Sequence, residues 1–223
     1  MHIHCFTFNL FQEHCRILWN DPLQAVVEDP GFSGDEEKDV FYGWMKDNGI
    51  KLAAILLTHA HLDHVFGVYE LQRELGIPVY MSQDDECIFS INQKIRGKMG
   101  LPAFSTDWKS SFIKDGDHIE VGGMDWEVIG TPGHTPGSVC YYEKEAGVLL
   151  SGDTLFAGAI GRTDLEYGDY DKEIVSIMEK LVWLDAGTQV LPGHGEDSSI
   201  ARERMSNPFL EPFNEREELN LDR

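Results

Sequence analysis

Apolar positions along this chain follow two spacings that alternate from one stretch to the next. Ile3, Cys5 and Thr7 recur at every second residue, and with the run Arg16-Ile17-Leu18-Trp19 they predict a β-hairpin. Asn20-Asp21-Pro22 marks a turn, and Ala25-Val26-Val27 a short buried strand that ends in Glu28-Asp29-Pro30-Gly31. Spacing then changes to the helical one. Ser33 followed by Glu36 reads as a capping box, opening a helix that buries Val40, Phe41, Trp44 and Met45 and stops near Gly49. Ala53-Ala54-Ile55-Leu56-Leu57 is an unbroken apolar run, the signature of a strand buried on both faces. A second helix carries Val65, Val68, Tyr69, Leu71 and Leu75 on one side and ends at Gly76, and Ile77 to Tyr80 returns to a strand. Residues 83 to 99 read as helical, whereas 100 to 115 lack periodicity and are expected to form a loop near a site mouth.

The second half repeats this order. His118 to Val121 and Trp126 to Ile129 flank a Gly122-Gly123 turn, and Val139 to Tyr142 and Val148 to Leu150 flank another turn at Glu145-Ala146-Gly147. Residues 171 to 184 predict a helix burying Ile174, Ile177, Met178, Leu181 and Val182. Gln189 to Leu191 is a strand, and a short helix over 198 to 206 precedes a polar tail. Strands in each half interleaved with helices imply an α+β fold of two packed sheets with helices outside. No linker or low-complexity tract interrupts residues 1–223, so they are read as one domain.

The chemistry concentrates at strand ends. His59-Ala60-His61-Leu62-Asp63-His64 places three imidazoles and a carboxylate within six residues, directly after an apolar run. His134, Asp153 and His194 each follow another apolar run and are each preceded by glycine (Gly133, Gly152, Gly193). A lone histidine in such a place is most often a hydrogen-bonded structural residue. Four strand ends that all carry imidazole or carboxylate point instead to metal, because these groups ligate zinc and also suit iron. Seven ligands exceed the roughly four of one tetrahedral zinc, so two sites sharing a carboxylate are the natural division. His59 and His61 can face one ion, Asp63 and His64 its neighbour, and Asp153 has two oxygens with which to bridge.

Charge narrows the partners. A formal net charge of −21 disfavours phosphate backbones and anionic membrane surfaces, so neither nucleic acid nor membrane is an expected partner. No stretch approaches the ~20 apolar residues that span a bilayer. The first eleven residues lack a basic region, an apolar core and a cleavage site. Cys5, Cys15, Cys87 and Cys140 are scattered without a Cys-x-x-Cys pair, and a reducing, cytoplasmic setting is expected.

The motif His59-x-His61-x-Asp63-His64, followed by His134, Asp153 and His194, resembles the metallo-β-lactamase superfamily, and within it glyoxalase II, the hydroxyacylglutathione hydrolases. The resemblance runs from Asp29 to His194. It implies a four-layer αββα sandwich with the site at one edge. It implies that His59, His61 and His134 hold metal one, that Asp63, His64 and His194 hold metal two, and that Asp153 bridges. Asp29 is similar to a residue that orients a ligand. The implied activity is hydrolysis of a small-molecule thioester of the hydroxyacylglutathione type, with Asp63 and Asp153 at the reacting centre. Two divalent ions, zinc first and iron or manganese as alternatives, would activate the water. Metallo-β-lactamases typically carry cysteine where Asp153 stands and are secreted, so antibiotic hydrolysis is not the expected activity.

Two departures keep alternatives open. Typical glyoxalase II has a longer C-terminal helical domain, whereas only 29 residues follow His194, as in short bacterial glyoxalase II-like proteins. The acidic tail from Ser206 offers only Arg216 and Arg223 as cations. Secondly, Gly161-Arg162-Thr163-Asp164 is similar to a stretch in persulfide dioxygenases, whose single iron is held by the counterparts of His59, His134 and Asp153. Arg162 either forks onto a substrate carboxylate or pairs with Asp164. A non-enzymatic metal-binding scaffold is the third reading.

Overall fold

A computed structural model describes residues 1–101 and 104–211, and among them no helix is long and apolar enough to cross a membrane. The first sheet runs in sequence order: β1 (His2–Phe8), β2 (Glu13–Trp19), β3 (Ala25–Glu28), β4 (Leu52–Leu56), β5 (Val79–Ser82) and β6 (Ser110–Ile113). β1 to β3 are antiparallel, and β3 to β6 are parallel neighbours. The second sheet holds β7 (His118–Val121), β8 (Met124–Gly130), β9 (Val139–Glu143) and β10 (Val148–Gly152). After a small ribbon of β11 (Leu155–Phe156) and β12 (Ala159–Ile160), it is completed by β13 (Gln189–Pro192) and β14 (Ser198–Ser199). Its order is β14-β13-β10-β9-β8-β7.

Strand periodicity places the layers. Leu18, Val26, Ala54 and Leu56 face the second sheet, where they meet Trp126, Val128, Tyr141, Leu150 and Leu191. Their neighbours Ile17, Val27, Ile55 and Leu57 point the opposite way, beneath α1 (Gly34–Asp47), α3 (Val68–Leu75) and α4 (Ile88–Met99). On the far side, Cys140, Tyr142, Leu149 and Val190 lie under α5 (Tyr170–Glu179) and α6 (Ile200–Ser206). This is the four-layer αββα sandwich. Burial at roughly 25 cal/mol per Å² of apolar surface is what drives three such cores together. At one edge the sheets are joined by polar bonds. Val139 N–H donates to Thr58 O at 2.9 Å, and the buried Tyr141 hydroxyl donates to Leu57 O at 2.8 Å.

Several expectations change. Residues 100 to 115 include β6, whose polar Ser110 and Ser111 hide a strand held by main-chain pairing to Val79 and Tyr80. Phe104 and Ser105 line a different cleft with Phe32 and Phe66, away from the site mouth. Val40 is 57% exposed, because Phe41 and Met45 already fill the buried face of α1. The acid that reaches back to Ser33 N–H is Glu37, at 2.6 Å, and Glu37 also holds Asn9 N–H at 2.7 Å. A long-range contact thus displaces the Glu36 box. The helix predicted through Val65 to Leu75 breaks at Gly67, giving a short α2 (Leu62–Val65) before α3. The helix predicted to residue 184 ends at Glu179, and Leu181–Trp183 form a separate turn. The tail with Arg216 and Arg223 lies outside the described residues.

Candidate metal centre

Every candidate ligand lies just beyond a strand. The loop after β4 supplies His59 and His61, and the first turn of α2 supplies Asp63 and His64. His134, Asp153 and His194 follow β8, β10 and β13 respectively. They converge on one sheet edge. Ligand atoms of His59, His61 and His134 all lie within 4.8 Å of one another, as do those of Asp63, His64 and His194, and a third such group, Asp29 with His59 and His64, links the two. Asp153 stands between the groups. Its Oδ2 is 3.5 Å from His134 Nε2 and 3.6 Å from His194 Nε2, and its Oδ1 is 3.6 Å from His64 Nε2. Asp63 Oδ2 reaches His194 Nε2 at 3.4 Å.

The protons of the imidazoles are set from outside. His134 Nδ1–H donates to Arg162 O at 2.7 Å, and His194 Nδ1–H to Phe11 O at 3.1 Å. His64 Nδ1–H meets Asp29 Oδ2 at 2.9 Å, and His59 Nδ1 lies 3.1 Å from Thr58 Oγ1, whose hydroxyl is donated to Asp29. In each ring the partner leaves Nε2 as the lone-pair atom facing inward, which is how metal-ligating histidines are oriented. His59 Nε2, His64 Nε2 and Asp153 Oδ1 are buried without any hydrogen-bond partner. Such atoms are costly unless something else satisfies them. Donors on a tetrahedral ion with ~2.0–2.1 Å bonds sit about 3.3 Å apart, close to the separations found here. The residues therefore fit a pair of cations.

Burial lowers the His59 imidazole well below its ordinary pKa, with His64 and His134 adding to the effect, and it lowers His61 to about 3 and His134 in the same direction. Neutral imidazole is the ligating form. Burial by itself would raise the Asp63 carboxyl and lower His64 and His194, but the attraction between these groups and Asp153 outweighs it, pushing Asp63 well below the usual carboxylate range and the two imidazoles above theirs, so that binding a cation there would release their protons.

Asp29 is fully buried with a positive φ of 43°. It takes Thr58 N–H at 2.8 Å, the Thr58 hydroxyl and His64, so it orients rather than ligates. Arg162 forks onto Asp164, with both bonds at 2.8 Å, while its carbonyl holds His134. The remaining histidines stay apart. His118 pairs with Asp125, His14 lies against Arg16 and Pro192 O, His4 stacks on Trp44 in a half-buried position, and His2 stacks on Trp19.

Three positioning residues were not legible in the sequence. Buried Asp85 accepts Ala60 N–H at 2.7 Å, Gly137 N–H at 2.7 Å and the Thr135 hydroxyl at 3.0 Å, clamping the loop of His59 and His61 to that of His134. Asn92 donates to Ala60 O at 2.7 Å. Glu173 accepts His134 N–H at 2.8 Å, and burial pushes its carboxyl up to about 8. Asp85 sits in the acidic run Gln83-Asp84-Asp85-Glu86 and Glu173 in a polar helix start, patterns shared with solvated surfaces.

Over the cluster lies a cleft of about 510 Å³, walled by Phe11, Leu62, Ile95, Phe156, Ile160 and Leu165, with His61, Asp63, His134, Asp153 and His194 at its floor.

An αββα sandwich whose strand ends gather five histidines and two aspartates at one edge defines a metal-binding hydrolase class. Residues 10–194 match the model of the metallo-β-lactamase superfamily, and the chain belongs to that superfamily, in its glyoxalase II-like branch. It is 36% identical to the hydroxyacylglutathione hydrolase GloC of Haemophilus influenzae, over 94% of this chain and 98% of that protein. Among solved structures, the B3 metallo-β-lactamase BLEG-1 superposes with a TM-score of 0.85 at 33% identity, covering 94% of this chain and 99% of that one. TTHA1623 in a di-iron-bound form gives 0.81 at 31%, covering 93% and 100%. ETHE1 from Myxococcus xanthus gives 0.77 at 22%, covering 100% and 92%, a likeness of fold. The chain is thus a metal-dependent hydrolase by family.

Proposed function

We propose that this chain is a binuclear hydrolase of thioesters of the hydroxyacylglutathione type. His59, His61 and His134 would hold one ion, Asp63, His64 and His194 the other, and Asp153 is placed to serve both. Zinc is the first choice, and iron or manganese are the other ions this donor set accepts. The observation that carries the reading is two clusters of three ligands with one carboxylate between them, on the floor of an apolar cleft. The name of the GloC relative supports the substrate class.

When bound, the ions supply a water acidified toward neutrality and positive charge for a carbonyl oxygen. The chain's own groups do the rest. Asp63 and Asp153 are the carboxylates that face the reacting atoms. Phe11, Leu62, Phe156 and Ile160 exclude bulk water and strengthen these contacts. No serine or cysteine is among the described residues that line the cleft, which leaves water as the nucleophile of this reading. A thiol with a pKa near ~8.5 leaves without a strong general acid, which suits a site that offers none.

The dioxygenase reading draws on Gly161-Arg162-Thr163-Asp164. A single iron on His59, His134 and Asp153 would leave Asp63, His64 and His194 converging on nothing, and for that reason the hydrolase is preferred. Elemental analysis together with hydrolysis of S-lactoylglutathione tests the proposal. About two ions per chain and release of free thiol are expected. One iron with oxygen uptake on glutathione persulfide would replace it with the dioxygenase, turnover of a chromogenic cephalosporin with an intact thioester would replace it with a lactamase, and silence in all three assays with metal bound would leave a scaffold.

A further inference from the structure

The turn between β1 and β2 touches both loops that carry Asp63 and His194. Asn9, just past β1, holds a positive φ of 52°, a conformation that asparagine adopts more readily than most residues. Both hydrogens of its amide are in use. Nδ2 donates to Gly31 O and to Asp63 O, each at 3.0 Å, and Oδ1 accepts Phe11 N–H at 2.9 Å. Phe11 O in turn accepts His194 Nδ1–H at 3.1 Å. At the start of β2, His14 N–H donates to Gly193 O at 2.8 Å, and the buried Arg16 guanidinium donates to Pro192 O at 2.7 Å. Gly31 sits so tightly among these segments that a methyl group there would run into Asp63 O and the buried Glu13 carboxyl. Among the described residues, no hydrogen bond runs from residues 9–16 to His59, His61 or His134.

We propose that Asn9 is a positioning residue for the second metal site, the shared link that fixes His194 against Asp63. The proposal rests on the binuclear reading above. Asp63 and His194 follow strands of different sheets, yet Asp63 Oδ2 and His194 Nε2 must stay near their 3.4 Å separation to share an ion. His194 is 27% exposed at its side chain, whereas Asp63 and Asp153 are 12% and 13% exposed, so packing holds this ring least and hydrogen bonds must do more. The path between the two ligands is short. It runs from the Asp63 carbonyl through the Asn9 amide to the Phe11 peptide, and from there to the His194 ring. Without the amide, the Asp63 carbonyl loses a donor and Phe11 N–H an acceptor, and the carbonyl that orients His194 Nδ1 loses its anchor. The cluster of His59, His61 and His134 has a clamp of its own in Asp85 and does not depend on this turn.

Zinc affinities measured by competition with a chelator test this. The binding phase lost in His194→Ala marks the second site, and the phase lost in His61→Ala marks the first. Asn9→Gly deletes the side chain and leaves the backbone free to keep its positive φ. It is expected to weaken the second phase ~10–100-fold, the usual cost of losing a residue that orients ligands, and to leave the first within about twofold. Excess zinc is expected to refill the second site, read by elemental analysis. Leu10→Ala alters a 59% exposed residue of the same turn that takes no part in these bonds, and should change neither phase. Asn9→Asp keeps the acceptor for Phe11 N–H and replaces both donated bonds with a repelling oxygen. It is expected to weaken the second phase as well, and it decides the matter if Asn9→Gly does not fold. Wild-type affinity at the second site, equal weakening of both sites, the same loss from Leu10→Ala, or a fold that neither Asn9 variant supports overturns the proposal while the binuclear reading stands. A wild type with a single zinc phase removes the binuclear reading, and the role of Asn9 with it.

Discussion

Replacing Asp85 with alanine tests whether two ligand loops depend on one buried carboxylate. Asp85 accepts from Ala60 N–H, Gly137 N–H and the Thr135 hydroxyl, and none of these donors has another route to water in a site only 1% exposed. Burial pushes the Asp85 carboxyl from 3.8 up to about 6 even with the hydrogen bonds that lower it, so the ionised carboxylate adds no net stability of its own. The variant instead leaves Ala60 N–H and Gly137 N–H buried without an acceptor, whereas the Thr135 hydroxyl keeps Ser138 Oγ at 2.7 Å. At about 1 kcal/mol for each orphaned donor at the low end, the loss is about 2 kcal/mol, or roughly 4–8 °C in Tm for a chain of this length. The larger effect falls on the metal centre. Ala60 lies between His59 and His61, and Thr135 follows His134, so releasing the clamp loosens the loops of all three. Loss of a residue that orients ligands typically costs ~10–100-fold in metal affinity. Competitive titration against a zinc chelator should find one of two sites weakened by that factor, with the site of Asp63, His64 and His194 retained. Two sites of wild-type affinity, with a Tm within about 1 °C of wild type, would refute the argument.

Other perturbations probe other parts of the centre. Asp153→Ala removes the carboxylate whose oxygens lie 3.5–3.6 Å from rings of both clusters. Loss of thioester hydrolysis and a drop from about two ions per chain are expected by elemental analysis, and an active variant with full metal would refute the bridge. A methyl group added to Gly193 would meet Asp153 Oδ1 and the His64 ring. Gly193→Ala should therefore weaken metal binding tenfold or more in the same titration, and unchanged binding would show that the loop yields. Lys180 meets Asp115 at 2.9 Å; burial alone would raise the Asp115 carboxyl, but the bonds from Lys180 and from Gly130 N–H outweigh it and lower it. A depressed carboxyl stabilises the fold above its unfolded pKa of ~3.9 and loses that contribution as pH falls. In urea unfolding, Lys180→Met should cost under about 1 kcal/mol at pH 7, and the gap should shrink below about pH 4. A gap that widened in acid would contradict the sign.

Much of the centre was legible because its residues are compact in sequence or punctuated by it. His59 to His64 advertise themselves by composition, and His134, Asp153 and His194 by an apolar run closed with glycine. Buried strands such as β4 and β10 announce themselves by unbroken hydrophobicity. Elements held by main-chain pairing were not legible, since hydrogen bonds of the backbone leave no mark on side-chain pattern. β6, with Ser110 and Ser111 against Val79 and Tyr80, is the clear case. Helix ends shifted where distant residues intervened, as when Glu37 turned to Asn9 and Ser33.

The sequence by itself determined the type of donor, the strand ends that carry it and the alternation that builds two sheets, because these are local consequences of residue type and period. Only the tertiary structure decided which ring nitrogen faces inward and that Asp85, Asn92 and Glu173 grip the loops. A charged residue destined for a buried clamp is the same letter as one destined for solvent. What separates them is the set of partners that the packed sheets bring within about 3 Å, a distance set by chain segments up to 50 residues apart for Asp85 and Thr135.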